Sequence, residues 1–150
     1  MKNLITLSVA ALFCAIPPHG IAQNEAVFNK VKQDYQDGDK NKNRDAALVF
    51  QAGKILVKHR KANQVYAEIP NVSITALTYE MSKHPRVKTA ILLSPLALFS
   101  PGKKHWFTVQ YKNGDISSFV LLQLDKSEYQ RVILEAETRT GKKVERVTEN

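Results

Sequence analysis

Between residues 46 and 124 the apolar side chains recur at every second position in short runs; after residue 125 they recur at every third and fourth. Alternate residues of a strand face opposite sides of a sheet, whereas a helix brings residues three and four apart onto one face. The change of period therefore restricts the chain to a set of strands followed by one helix. Ala46–Phe50 and Ile55–His59 read as strands with Gly53 at the turn between them. Gln64–Ile69 sets Val65, Ala67 and Ile69 on one face. Ser73–Met81 alternates less cleanly, with Leu77, Tyr79 and Met81 opposite Ile74 and Ala76. Phe107, Val109 and Tyr111 are in phase, Asn113-Gly114 is a hairpin turn, and Ile116, Val120, Leu122 and Leu124 follow on its return strand. Tyr129, Val132, Ile133, Ala136 and Thr140 then form a helical stripe, with Asp125 as N-cap, Glu128 completing a capping-box-like pair and Gly141 ending the helix. Lys142–Val147 either adds a short polar strand or frays. The fold class is mainly β with one helix. The expected architecture is a curled antiparallel sheet or barrel of about six or seven strands, its open end plugged by a C-terminal amphipathic helix.

The N-terminal third reads differently. Met1-Lys2-Asn3 is a short positive start, Leu4 to Ile16 is uncharged and mostly apolar, and Pro17, Pro18 and Gly20 then break any helix. This is the order of a secretory signal, with cleavage expected after Ala22. The apolar run is too short for a spanning anchor, which needs about 20 residues. Bulky Phe13 before Cys14 argues against lipidation there. Cleavage at that point removes Cys14, the only cysteine, so an exported domain of this sequence has no disulfide and no thiolate metal site. Residues 23–45 open with a possible helical turn (Ala26, Val27, Phe28, Val31) and continue as a polar run, expected to be a flexible lead-in to a domain spanning 46–150. Asp37, Asp39, Asn41 and Asn43 alternate as in a calcium loop. The pattern fails at Lys42, where glycine is needed, and at Leu48, where a bidentate carboxylate is needed.

The stretch from Lys54 to Glu145 carries Ile69-Pro70, Ser73 to Glu80, Ser82 to Arg86, Lys103 to Thr108, Leu124-Asp125-Lys126 with Tyr129, and Thr140 to Glu145. In these residues it resembles a group of exported bacterial proteins of unassigned function that contain a pleckstrin-homology-like (PH-like) domain. The resemblance implies a binding platform for lipid headgroups, peptides or other protein domains. It implies no catalytic residue and no cofactor.

The net charge of +8 suits acidic partners. Ala90 to Phe99 carries no charge, and basic residues bracket it: Lys83, His84, Arg86 and Lys88 before, Lys103, Lys104 and His105 after. One reading is a loop that dips into a membrane surface through Leu92, Leu96 and Phe99 while the flanking cations meet anionic headgroups. The other is a buried strand bent at Pro95, with lysines as gatekeepers against aggregation; runs this apolar are more often buried than displayed. Trp106 faces opposite Phe107, so it is expected either partly exposed among lysines or packed beneath a helix or loop. One tryptophan is too few for a base-stacking platform, and export removes most nucleic acid from reach. His84 and His105 with Glu80 sketch a two-histidine metal site that lacks any strong spacing motif. Ser94, Ser100, Ser117 and Ser118 sit in no Gly-x-Ser-x-Gly elbow.

The sequence thus points to an exported, periplasmic or secreted, non-catalytic binding module. Its expected contact residues are Lys83, Arg86, Lys88, Leu92, Leu96, Phe99, Lys103, Lys104, His105 and Trp106, and its expected partner is an anionic membrane surface. The alternative is a partner protein or peptide bound at a sheet edge or in the groove beside the helix.

Overall fold

The computed structural model describes residues 25–85 and 102–147. The expected signal segment and the whole apolar run Ala90 to Phe99 lie outside them. Eight strands form one sheet: β1 (Ala26–Asp37), β2 (Lys40–Gln51), β3 (Lys54–His59), β4 (Val65–Pro70), β5 (Ile74–Ser82), β6 (Lys104–Asn113), β7 (Ile116–Leu124) and β8 (Val144–Val147). The single α-helix described, α1, spans Tyr129–Thr140. The order across the sheet is β4-β3-β2-β1-β7-β6-β5-β8, with every pairing antiparallel except the parallel β5–β8 pair.

This order demands curvature. β4 is one edge and β5 lies next to the other, yet only the 3-10 turn Asn71–Ser73 joins them. So short a link closes only if the sheet bends until its ends approach. The concave face then encloses Phe28, Leu48, Phe50, Ile55, Val57, Phe107, Val109 and Leu122, each at most 1% exposed, and α1 closes the cavity with Val132, Ile133 and Ala136. Phe28 and Phe50 meet edge to face at 6.0 Å. The helix is fastened at its C-terminal end, where Asn71 Nδ2 donates to the Arg139 carbonyl at 2.9 Å and the Val144 amide donates to Glu137 Oε1 at 2.9 Å. Gly141 ends the helix in a left-handed conformation (φ 68°), as its position in the sequence predicts.

The N-terminal expectations need correction. Residues 26–45 are not a lead-in, and no helical turn forms at Ala26–Val31: β1 and β2 make a long hairpin with β1 well inside the sheet. The i, i+3 spacing of Phe28 and Val31 has another cause. Phe28 pairs with Leu48 and Val31 with Ala46, so β1 spends one extra residue there in a β-bulge, which returns both side chains to the core face. A second bulge between Ile74 and Ala76 puts Ile74 and Leu77 together in the core and accounts for the imperfect alternation of β5. The polar run survives as strand because its side chains partner across the hairpin. Gln33 Oε1 accepts from Arg44 Nε and Nη2 at 3.0 and 2.9 Å, and the Arg44 guanidinium lies 4.5 and 3.5 Å from the ring centres of Tyr35 and Tyr66. The calcium-like residues belong to this ribbon too: Asp37 pairs with Lys40 across a two-residue turn whose first member, Gly38, has φ 59°.

At the other end, Asp125 does not cap the helix. Its carboxylate accepts from the Ser127 amide (2.9 Å) and hydroxyl (2.5 Å), shaping a turn that precedes α1, and Glu128 holds the cap position without a side-chain capping bond.

Because β1 joins β2 to β7, a chain beginning at residue 25 is expected to unfold cooperatively in urea, and a chain beginning at residue 46 to give no cooperative transition. Phe28→Ala is expected to lower the unfolding free energy by about 3–5 kcal/mol.

Candidate functional site: a basic concavity beside a tyrosine–histidine stack

β1 crosses β7 with Val31 opposite Leu124 and Lys32 opposite Gln123, and β6 lies on the far side of β7 with His105 opposite Leu124. That register gathers four segments: the middle of β1, the residue after β3, the start of β6 and the turn after β7. They surround a concavity of about 420 Å³. Its cations are Lys30, Lys32, Arg60, Lys103, Lys104 and Lys126, and among its described residues Asp125 is the only carboxylate. Arg60 Nη2 is 3.6 Å from Asp45 Oδ1, and the Lys104 ammonium lies 5.7 Å from the Trp106 ring centre. The Asp125 carboxyl is held below the ordinary carboxylate range, first by its two bonds from Ser127 and then by the Lys30 and His105 charges. Such a hollow concentrates positive potential, which attracts anions.

His105 forms one wall. It stacks on Tyr129 at 4.2 Å between ring centres, and its Nδ1 shares a 2.7 Å hydrogen bond with the Tyr79 hydroxyl. Tyr79 in turn stacks on Tyr129 at 5.3 Å. Burial first, then the Lys126 charge, holds the His105 imidazole below its ordinary 6.5, with Asp125 pulling the other way. Burial also raises the Tyr79 hydroxyl above its ordinary 10.0, with Tyr129 adding and Arg146 opposing. Both rings are therefore neutral at neutral pH. Behind this wall lies a second concavity of about 300 Å³, between α1, β5 and β8, lined by Tyr79, Met81, Tyr129, Ile133, Arg146 and Val147, with Lys103 common to both hollows. A larger hollow of about 670 Å³ near the end of α1 alternates Glu137, Lys143, Glu145 and Arg146 and so offers no single sign of charge.

Of the residues the sequence singles out, Lys103, Lys104 and His105 come together here. Lys83 is exposed just past the end of β5. Arg86, Lys88, Leu92, Leu96 and Phe99 lie outside the described residues, as do Ser94 and Ser100. Trp106 is not a surface contact. It is 4% exposed on the face of β6 opposite Phe107, away from the helix-covered core, and its indole N–H donates to the Ser82 carbonyl at 3.1 Å. The sketched metal site does not assemble: Met81 pairs with His105 and Glu80 with Trp106, so Glu80 and His105 face opposite sides of the sheet. Among the described residues no three His, Cys, Asp or Glu side chains gather. Sequence reasoning missed Lys30 and Lys32, because β1 read as a lead-in, and Arg60 and Lys126, which are brought in only by strand order.

No protein-family model and no curated protein sequence matches the chain. Solved structures do. The Spt16D–Pob3N heterodimer is similar with a TM-score of 0.52 at 8% identity, over 85% of this chain and 56% of that one. The hSac2 domain from the human phosphoinositide phosphatase Sac2 gives 0.49 at 10% identity, over 85% and 79%. The chain thus spans little more than half of the first. The likeness is one of fold: a PH-like curled sheet with its C-terminal helix.

Since folding lowers the His105 pKa, the unfolded chain binds more protons just below 6.5. The stability that neutral His105 contributes is present above 6.5 and lost as the pH falls towards the folded value, so urea midpoints should drop across that window and His105→Gln should flatten the drop. In NMR titrations Lys126→Gln is expected to raise the His105 pKa and Asp125→Asn to lower it further.

Proposed function

We propose that this chain is an exported, non-catalytic binding module that docks on anionic membrane surfaces through the basic concavity. The observation that carries the reading is the six-to-one excess of cations over carboxylates, among the described residues, around a hollow that Lys103 and Lys104 help to line. These two lysines end the segment connecting β5 to β6, and in sequence that segment is apolar between basic flanks. In sequence the two lysines follow closely on the apolar run, and cations next to apolar residues are the combination that a headgroup layer over acyl chains rewards. Export rests on the order of charge, apolar residues and helix breakers in residues 1–22. A PH-like fold is compatible with a binding role, and the charge of the hollow supports an anionic partner.

The test is co-sedimentation of the purified protein with phosphatidylcholine vesicles, with and without phosphatidylglycerol, at low and high salt. Binding is expected only to the anionic vesicles and is expected to weaken as salt screens it. With about 1 kcal/mol per cation near the surface, a Lys30→Gln, Lys32→Gln, Lys126→Gln variant should lose about a hundredfold in affinity. Leu96→Ser with Phe99→Ser should lose binding while the fold is kept. Absence of binding to either vesicle rejects the membrane reading in favour of a protein partner at a sheet edge or in the groove beside α1.

A further inference from the structure

Among the described residues lining the basic hollow, His105 is the one titratable group that is neutral at neutral pH. It is half-buried, and charged groups reach it from several elements. Lys103 and Lys104 precede it in the chain, Lys30 and Lys32 come from β1, and Arg60 follows β3. Asp125 and Lys126 come from the turn after β7. β5 contributes the Tyr79 hydroxyl, 2.7 Å from Nδ1, and α1 contributes the Tyr129 ring, stacked on the imidazole at 4.2 Å. From β8, Arg146 acts on Tyr79 behind the imidazole. After burial, Lys126 opposes protonation of His105 and Asp125 favours it. The ring takes up a proton without leaving its place. A phenol hydroxyl donates to a bare Nδ1 or accepts from a protonated one, so the bond to Tyr79 serves both charge states. The face of Tyr129 also attracts a cation. What withholds the proton is burial and the field of a neighbouring cation, and an anion in the hollow cancels the second.

We infer that His105 makes docking of the basic hollow pH-dependent: protonation adds one more positive charge to its wall, and the protein binds anionic surfaces more tightly in acid. This rests on the proposed function and supplies its regulation. The factor by which a proton on His105 raises affinity for an anion is the factor by which a bound anion raises the affinity of His105 for the proton. The imidazole of the free fold titrates below 6.5, so binding in that range is coupled to proton uptake. Affinity therefore rises as the pH falls through the range and levels off beneath it. At about 1 kcal/mol for one cation near the surface, the gain is about fivefold. The proton that weakens the free fold thus strengthens the bound one, and an anion in the hollow offsets part of the acid loss of stability.

The test uses vesicles of phosphatidylcholine with phosphatidylglycerol, whose phosphodiester keeps its charge throughout, at fixed ionic strength from about pH 8 to about pH 5. Affinity is expected to rise about fivefold for the unaltered protein and to stay level for His105→Gln. His59→Gln and His84→Gln are expected to keep the rise. Lys126→Gln should weaken binding overall yet move the midpoint of the rise to higher pH, a displacement that a merely structural His105 does not produce. In NMR titrations of the unaltered protein, sulfate in place of chloride at equal ionic strength should raise the His105 pKa more than that of His59 or His84. Affinity that stays level with pH while anionic vesicles bind overturns this inference alone, as does a rise that survives His105→Gln. Should His105→Gln not fold, the sulfate titration decides, and a His105 pKa that sulfate leaves in place overturns the inference. If anionic vesicles bind at no pH, the basic-hollow reading falls and takes this one with it.

Discussion

The pairing of β1 with β7 holds the molecule together. Only Val31 to Asp34 on one strand and Leu121 to Leu124 on the other take part, yet they join β4-β3-β2-β1 to β7-β6-β5-β8. Each half alone would be a small sheet with one face uncovered, and neither could bury Phe28, Phe107 and Leu122 in a common core. The same four-residue seam fixes the chemistry at the surface. It draws Lys30 and Lys32 to the place where β7 turns at Asp125-Lys126 and where β6 begins with Lys104 and His105. Concentrating like charge costs stability, and it is borne by a seam whose own residues Val31, Leu122 and Leu124 are almost fully buried.

The fold was legible where side-chain period and backbone register agree. The β6–β7 hairpin, whose two-residue turn is Gly114-Asp115, one position beyond the expected Asn113-Gly114, and helix α1, with Val132, Ile133 and Ala136 inward and Gly141 at its end, follow from spacing. Legibility failed at the bulges. An extra residue in β1 turns strand spacing into i, i+3, which periodicity alone reads as a helical turn, and the extra residue in β5 blurs its alternation in the same way. It failed again for polar strands. What holds Gln33, Tyr35 and Arg44 in the sheet is partners on other strands, through Gln33–Arg44 bonds and an arginine between Tyr35 and Tyr66 of β4, and such pairings have no signature along a single segment.

The candidate site was half legible for the same reason. Lys103, Lys104 and His105 stood out because they are consecutive and follow an apolar run. Lys30, Lys32, Arg60 and Lys126 are scattered through the chain, and only strand order makes them neighbours. The stack of Tyr79, His105 and Tyr129 is likewise a product of β5 beside β6 with α1 laid over both. Sequence thus identifies where a charge cluster begins, and topology decides how large it becomes.

Trp106 gives the molecule an optical property. It is the only tryptophan in the chain, nearly sealed from solvent, with its indole N–H anchored on Ser82 and the ammonium of Lys104 held 5.7 Å from its ring centre. An indole fixed in place beside a cation has its excited-state energy set by that cation's field. Because Lys104 also lines the basic hollow, the emission colour of the protein is tied to the electrostatic potential there, and the chain carries a built-in electrometer for the site.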